Sequence, residues 1–187
     1  MLKKCLDVIF ASFLMPFCIL LYLFIGIGIK LTSPGPVIYW SNRIGKNGKN
    51  FMMPKFRTMI VGTPNIASHK LTKSENYVTD FGRFLRLSSL DELPQIYSIL
   101  IGDMSIVGPR PALFNQSDLI ELRKKKGVDI LVPGITGWAQ VNGRDDISIK
   151  KKVALDLEYL KHQSLLFDLK ILAMTFWKVI IRKGVSH

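Results

Sequence analysis

The sequence is poor in cysteine and histidine. Its 187 residues include two cysteines, Cys5 and Cys18, and three scattered histidines, His69, His162 and His187. Two cysteines in or beside one apolar segment do not form a disulfide framework, and no Cys or His spacing is that of a metal site. The shortage excludes a disulfide-stapled secreted domain and argues against a zinc site.

Negative charge is also scarce, because 14 Asp and Glu stand against 26 Lys and Arg, a formal net charge of +12. So basic a chain favours a polyanionic partner, which means nucleic acid, an anionic membrane surface or phosphorylated substrates. Apolar residues make up 48% of the chain, which excludes an intrinsically disordered protein. The mean hydropathy of +0.24 is unusual for a nucleic-acid binder. We therefore expect contact with anionic membrane lipid and no nucleic-acid partner.

One long uncharged run, residues 8–29, lies between Asp7 and Lys30. About twenty apolar residues are enough for a helix to cross the hydrocarbon core. Both flanks are basic, so the positive-inside rule places both ends on the cytoplasmic side. Pro16 would remove the helical hydrogen bond to the Ser12 carbonyl, and the Ser12 hydroxyl can help satisfy the freed backbone. We predict a kinked, re-entrant membrane helix, with a straight span as the alternative.

The rest of the chain predicts an α/β fold, mostly helical with a small sheet. We assign residues 1–36 to a re-entrant helix-hairpin and its exit turn, and residues 37–187 to a domain on the cytosolic face. The predicted elements are a β-hairpin with Pro54 on its edge strand, helical spacing over 81–101 interrupted at Leu93 and Pro94, and helices over 113–126, 150–163 and 165–182. The last helix combines Trp, Phe and Lys, which suits an interfacial amphipathic helix; packing on the core is the alternative.

Two adjacent carboxylates, Asp91 and Glu92, lie in an apolar stretch after Arg86. Ser89 and Glu92 also match a capping box, which explains many acids at helix starts. A capping box does not explain Asp91, and paired carboxylates can hold Mg²⁺ together with substrate phosphates. Asp91 and Glu92 are therefore candidate catalytic residues and metal ligands, with Mg²⁺ as the cofactor.

Four basic residues are candidates for binding substrate phosphate: Lys55, Arg57, Arg86 and Arg110. Arg110 lies between Pro109 and Pro111, which fix its backbone in advance and suit bidentate phosphate binding. A structural pairing with an acid is the alternative for Arg110. Lys55 and Arg57 are two residues apart on a predicted strand, so they face one side and could share an anionic ligand. A solvated basic face is the commoner explanation of such a pair.

A further segment, residues 133–144, combines three glycines with polar side chains. Glycine lets a backbone approach a ligand closely, although the signal is weak. The candidate residues of a nucleotide-sugar loop are Gly134, Gly137, Gln140, Asn142 and Arg144. Asp156 is another possible site residue, but its place among leucines on a predicted helix also suits a structural role.

Together these segments resemble the bacterial sugar transferase family, the monotopic phosphoglycosyl transferases. The matching motifs are KFRTM at 55–59, SLDELPQ at 89–95, GDMSIVGPRP at 102–111, PGITGWAQVNGR at 133–144, LDLEYL at 155–160 and FDLKI at 167–171. The likeness covers nearly the whole chain, and the order of the motifs makes it specific. The length is that of the short members, particularly those that start N-linked glycans with an acetylated bacillosamine phosphate.

The resemblance implies transfer of a phosphosugar from a UDP-sugar to undecaprenyl phosphate with release of UMP. This would be the first membrane step of bacterial glycan assembly, at the cytoplasmic face of the inner membrane, with downstream glycosyltransferases as possible partners. In the family the Asp of the Asp-Glu pair is the nucleophile, a covalent phosphosugar intermediate forms, and Mg²⁺ is required; Asp91 and Glu92 match that pair. Members often carry Ser before the helix-breaking Pro, where this sequence has Met15. Re-entrance therefore depends on Pro16, Ser12 and the flanking charges.

An alternative from a different class is a membrane-anchored binding protein whose basic surface recruits nucleic acid or anionic lipid. It explains the charge and the apolar run. It gives no reason for a Pro-flanked Arg or an Asp-Glu pair, and it predicts aromatic residues clustered with basic ones for base stacking. Here most aromatic residues lie in apolar stretches. An assay for UMP release separates the two hypotheses.

Overall fold

The computed structural model describes residues 2–64, 77–143 and 147–181. Its helices and strands are α1 (Leu2–Thr32), β1 (Ile38–Ile44), β2 (Asn50–Phe56), α2 (Asp80–Leu87), α3 (Ile96–Ile101), β3 (Ser105–Val107), β4 (Ala112–Leu113), α4 (Ser117–Lys125), β5 (Gly134–Thr136), α5 (Trp138–Val141), α6 (Ile149–His162) and α7 (Leu165–Ile180). Short 3₁₀ helices within the described residues include Lys46–Gly48, Leu90–Gln95 and Val128–Ile130. The described chain is mostly helical with little sheet, as predicted.

Helix α1 is 31 residues long and continues through Pro16. Within the described ranges it is the one helix that could cross a membrane by length and composition. Its buried residues recur every four or seven positions along one stripe: Asp7, Ala11, Cys18, Ile25 and Ile29. Its four phenylalanines are all exposed. One face of α1 therefore packs on the domain along the whole helix, while an apolar face is left uncovered.

Polar contacts join α1 to the domain near both of its ends. At the N-terminal end, Lys3 forms an ion pair with Asp168 of α7. At the C-terminal end, the buried Arg57 donates hydrogen bonds to the carbonyl and the hydroxyl of Ser33, at 2.8 and 2.9 Å. The same domain thus holds the two ends of the apolar helix. The re-entrant course itself remains a prediction.

Strands β1 and β2 form the predicted hairpin, with Ile38 opposite Phe56. The sheet order is β2-β1-β4, so Pro54 lies on an edge strand, as expected. The prediction that a helix begins at residue 113 is wrong, because Leu113 pairs with Arg43 of β1. Helix α4 begins four residues later. Strands β3 and β5 form a separate parallel pair.

Three apolar clusters make the core, and the largest lies among β3, α4, α6 and α7. Ile171 of α7 is completely buried in it, whereas Phe176 and Trp177 of the same helix are exposed. Helix α7 therefore packs on the core with one face and presents apolar side chains on another. Contact of that second face with lipid stays a prediction. The other two clusters join α1 to β2 and to helices α2 and α3.

Candidate active site

The Asp-Glu pair lies in the 3₁₀ helix Leu90–Gln95, which connects α2 with α3. The preceding residue, Ser89, has a left-handed backbone with φ of 57°, which costs free energy for a residue with a side chain. Its hydroxyl makes no capping bond. Glu92 contacts Lys55 and Arg110 instead. The capping-box interpretation is therefore wrong, because the chain turns left-handed at Ser89 and Glu92 is held by basic side chains.

Two basic side chains from distant parts of the chain, Lys55 and Arg110, contact the carboxylates. Lys55 of β2 places its Nζ 2.8 Å from Glu92 Oε1 and 3.9 Å from Asp91 Oδ2. Arg110, in the loop after β3, donates from Nη1 and Nη2 to the same Glu92 oxygen, at 3.3 Å each. The exposed fractions of these side chains range from 10 to 26%. The structure thus brings together four of the predicted site residues in a poorly solvated cluster of alternating charge.

Burial shifts the pKa values of Asp91 and Lys55 in the directions that favour the uncharged carboxylic acid and the uncharged amine. Loss of hydration raises the pKa of Asp91, and the nearby Lys55 opposes that rise. Loss of hydration also lowers the pKa of Lys55, and Glu92 opposes that fall. An ionised Asp91 that is poorly hydrated is more basic, and hence more nucleophilic, than a carboxylate in water.

The other two predicted phosphate ligands have different surroundings. Arg86, at the end of α2, donates from Nε to the Thr58 hydroxyl at 2.9 Å. Its charge partly opposes the rise that burial causes in the pKa of Asp91, so Arg86 belongs to the electrostatic surroundings of the pair. Arg57 instead anchors the turn after α1 through Ser33. Phosphate binding by either arginine, and a ligand shared with Lys55, stay predictions.

The glycines of the predicted nucleotide loop pack against the loop after β3. The Gly108 amide donates to the Thr136 carbonyl at 2.8 Å. A Cβ on Gly134 would lie 2.1 Å from the Gly108 nitrogen, and one on Gly137 would lie 2.0 Å from the Gly108 oxygen. Both glycines are therefore required for this close approach of two backbones. Their contact with a nucleotide stays a prediction.

The polar residues of the same segment stabilise it locally. Gln140 donates to the Ile135 carbonyl at 3.2 Å, and Asn142 donates to the Trp138 carbonyl at 2.8 Å. Arg144 lies outside the described residues. The predicted loop contains β5 and α5, and its side chains support that structure.

An apolar cavity of about 210 Å³ lies between α1 and the domain. Phe10, Ala11 and Leu14 line it from α1, and Leu93 and Ile96 line it from the domain. The one charged residue among its described lining residues is Glu92. The cavity therefore extends from α1 to Glu92, one member of the carboxylate pair.

A family model described as bacterial sugar transferase matches residues 1–182. This chain belongs to the bacterial sugar transferase family. The resemblance read from the motifs is thereby confirmed. The site geometry described above is accordingly that of a member of this family.

Three relatives illustrate the match. The UDP-glucose:undecaprenyl-phosphate glucose-1-phosphate transferase of Xanthomonas campestris pv. campestris is 42% identical over 171 residues, which are 87% of this chain and 35% of the relative. The protein of the same name from Escherichia coli (strain K12) is 40% identical over 98% of this chain and 41% of the relative. The uncharacterized sugar transferase EpsL of Bacillus subtilis (strain 168) is 39% identical over 100% of this chain and 91% of the relative. The chain thus spans about two fifths or less of the two glucose-1-phosphate transferases.

The metal prediction for this bacterial sugar transferase concerns Asp91 and Glu92. Among the described residues, no group of three or more His, Cys, Asp or Glu side chains could hold a metal ion. Two adjacent carboxylates do fit Mg²⁺, a hard cation that takes its other ligands from water and substrate phosphates.

Sequence reasoning missed Arg123 in this bacterial sugar transferase, because it counted as one more basic residue at the end of a helix. Its Nε and Nη2 donate to Asp156 Oδ2 at 3.0 and 2.7 Å. Its Nη1 donates to the Arg110 carbonyl at 2.8 Å. Asp156 is therefore paired with Arg123, and Arg123 in turn contacts Arg110 of the candidate site. Burial raises the pKa of Asp156, and Arg123 opposes that rise.

Proposed function

We propose that this bacterial sugar transferase moves a phosphosugar from a UDP-sugar to undecaprenyl phosphate and releases UMP. The observation that carries the proposal is the buried Asp91–Glu92 pair, which lies between Lys55 and Arg110 beside an apolar cavity. The two cations suit a diphosphate, and the cavity suits an isoprenoid chain. The glucose-1-phosphate transferases among the relatives carry both substrate classes in their names.

Asp91 is the nucleophile in this proposal. Its ionised carboxylate attacks the β-phosphorus of the UDP-sugar, and an acyl phosphate bond to the phosphosugar forms. The bond from that phosphorus to the bridging oxygen breaks, and UMP leaves with the electron pair. A phosphate oxygen of undecaprenyl phosphate then attacks the same phosphorus and releases the Asp91 carboxylate. Each step forms one phosphorus–oxygen bond and breaks another.

The neighbouring residues bind and orient the diphosphate. Lys55 and Arg110 are already fixed beside the pair by Glu92, so little reorganisation is needed when phosphate oxygens replace that contact. Asp91 and Glu92 would hold Mg²⁺, which neutralises charge on the diphosphate when it is bound. Glu92 acts at that ion or in proton transfer with the acceptor phosphate.

We also propose that α1 lies in the cytoplasmic leaflet as a re-entrant element of the bacterial inner membrane. The contacts of Lys3 with Asp168 and of Arg57 with Ser33 support this, since a domain in water can hold both ends only if both lie on one side. The uncovered phenylalanines of α1 face lipid in this arrangement. Trp177 of α7 would contact the same leaflet among anionic headgroups.

Topology can be tested by cysteine accessibility in spheroplasts, with variants that lack Cys5 and Cys18. Leu2→Cys and Lys49→Cys introduce single thiols at exposed positions on either side of the apolar run. We expect an impermeant maleimide added from outside to label neither thiol, because both flanks are basic and bound to one domain. After lysis, both should react. External labelling of position 2 alone would mean a straight span and would refute the re-entrant arrangement.

The function is tested with purified protein, undecaprenyl phosphate and a panel of UDP-glucose, UDP-galactose and UDP-N,N′-diacetylbacillosamine. We expect continuous UMP release with at least one nucleotide sugar, together with a lipid product heavier by one phosphosugar. Omission of the lipid acceptor should stop turnover. A folded, membrane-bound protein that releases no UMP from any of these sugars would favour the binding-protein alternative.

A further inference from the structure

The loop Pro109–Arg110–Pro111 is held through its backbone carbonyls. Two of its three residues are prolines, which have no N–H to donate. Each carbonyl accepts a hydrogen bond from a different part of the fold. The three bonds run from Gly134 N to Pro109 O at 2.9 Å, from Arg123 Nη1 to Arg110 O at 2.8 Å and from Arg43 Nη1 to Pro111 O at 3.2 Å. The position of this loop is thus determined from three directions.

The bond to the central carbonyl comes from a side chain that is itself fixed. Arg123 of α4 and Asp156 of α6 are 8% and 1% exposed, and their ion pair measures 2.7 Å. Two nitrogens of the Arg123 guanidinium bind the carboxylate, so the orientation of the third is set by the planar group. That third nitrogen meets the Arg110 carbonyl. Lysine cannot reproduce this arrangement, because its three N–H donors share one nitrogen, whereas the guanidinium spreads its donors over three nitrogens of a rigid plane.

We propose that Arg123, oriented by Asp156, is a positioning residue that fixes the Arg110 backbone so that the Arg110 guanidinium is ready to receive the substrate's phosphate oxygens. The inference rests on the proposed function, in which Arg110 binds the diphosphate. Arg123 acts through Arg110 and does not contact substrate. Because the carbonyl and the side chain of Arg110 share one Cα, a shift of the carbonyl displaces the guanidinium.

The decisive variant is Arg123→Lys, which keeps a positive charge opposite Asp156 and so avoids an uncompensated buried carboxylate. We expect kcat to fall roughly tenfold to a hundredfold, the loss typical of a misplaced catalytic contact. KM for the UDP-sugar and the melting temperature should change much less. The matched control is Lys125→Arg on the exposed side of the same helix, which should leave kcat unchanged.

A double-mutant cycle separates positioning from a general structural effect. If Arg123 acts through Arg110, Arg123→Lys should cause less than about a twofold further loss of kcat once Arg110→Ala is present. A purely structural clamp between α4 and α6 predicts the same fractional loss in both backgrounds. Independent, multiplicative losses would therefore overturn the proposal.

Amide hydrogen exchange gives a readout that needs no turnover. In Arg123→Lys, peptides covering residues 105–113 should exchange faster than in the unaltered protein, with little change in α1 or β2. Unchanged exchange in that segment would overturn the proposal even if kcat fell. An unaltered protein that releases no UMP would count against the proposed function, and the exchange result would still decide whether Arg123 fixes the loop.

Discussion

Asp91→Asn should reduce turnover by at least roughly a thousandfold, because an amide cannot form the acyl phosphate that the proposed reaction requires. Glu92→Gln should retain measurable activity, since water can partly replace a metal ligand or a proton carrier. The measurement is the rate of UMP release. Asp118→Asn, an exposed Asp-to-Asn change on α4, is the matched control and should keep full activity. Equal losses in Asp91→Asn and Asp118→Asn would contradict a special role for Asp91.

The mass of the protein gives direct evidence for the intermediate. The unaltered protein, trapped with UDP-sugar in the absence of a lipid acceptor, should gain one phosphosugar on the peptide that contains Asp91. Label on Glu92 or elsewhere would assign the nucleophile to another residue. If no adduct forms and UMP leaves only when both substrates are bound, the polyprenyl phosphate attacks directly and the covalent step is refuted.

Removal of divalent cations should abolish turnover, and added Mg²⁺ should restore it. The diphosphate and the Asp91–Glu92 pair bring several negative charges together, and Lys55 and Arg110 cannot neutralise all of them. The measurement is UMP release after dialysis against EDTA, followed by titration with Mg²⁺.

The Glu92→Gln variant serves as the companion in this titration. If Glu92 is a metal ligand, the variant should need more Mg²⁺ for half-maximal rate than the unaltered protein. An unchanged Mg²⁺ requirement would leave Glu92 with the proton-transfer role. Full activity of the unaltered protein in EDTA would remove the metal from the mechanism.

Most of the candidate site could be predicted from local sequence features. Asp91 and Glu92 stand out as two charges in an apolar stretch, and Arg110 stands out between two prolines. These features depend only on neighbouring residues, so they can be recognised in the sequence without knowledge of the fold. Lys55 and Arg57 are the two basic residues of the predicted strand, and the contact with Glu92 distinguishes Lys55 from Arg57. That distinction depends on which side chains the folded domain brings to the strand.

The supporting contacts could not be predicted, because they join distant residues. Arg123 and Asp156 are 33 positions apart, and neither position has a local pattern that identifies the other. The close packing of Gly134 on Gly108 likewise depends on the pairing of β3 with β5. Local patterns correctly identified most helices, but they gave the wrong start for α4, where tertiary pairing with β1 prevailed over helical spacing.

The contacts of α1 also limit when, during synthesis, this helix can pack on the domain. Lys3 is synthesised before its partner Asp168, which follows 165 positions later. Asp7 likewise precedes its partner Ser105 by 98 positions. The Ser105 hydroxyl donates a hydrogen bond to the Asp7 carboxylate at 2.7 Å. At about 5–20 residues per second, the apolar helix is exposed for roughly ten to thirty seconds before its last partner is synthesised. During biosynthesis the apolar face of α1 therefore needs lipid or a targeting factor to cover it, and the contact of Lys3 with α7 forms only after Asp168 has been synthesised.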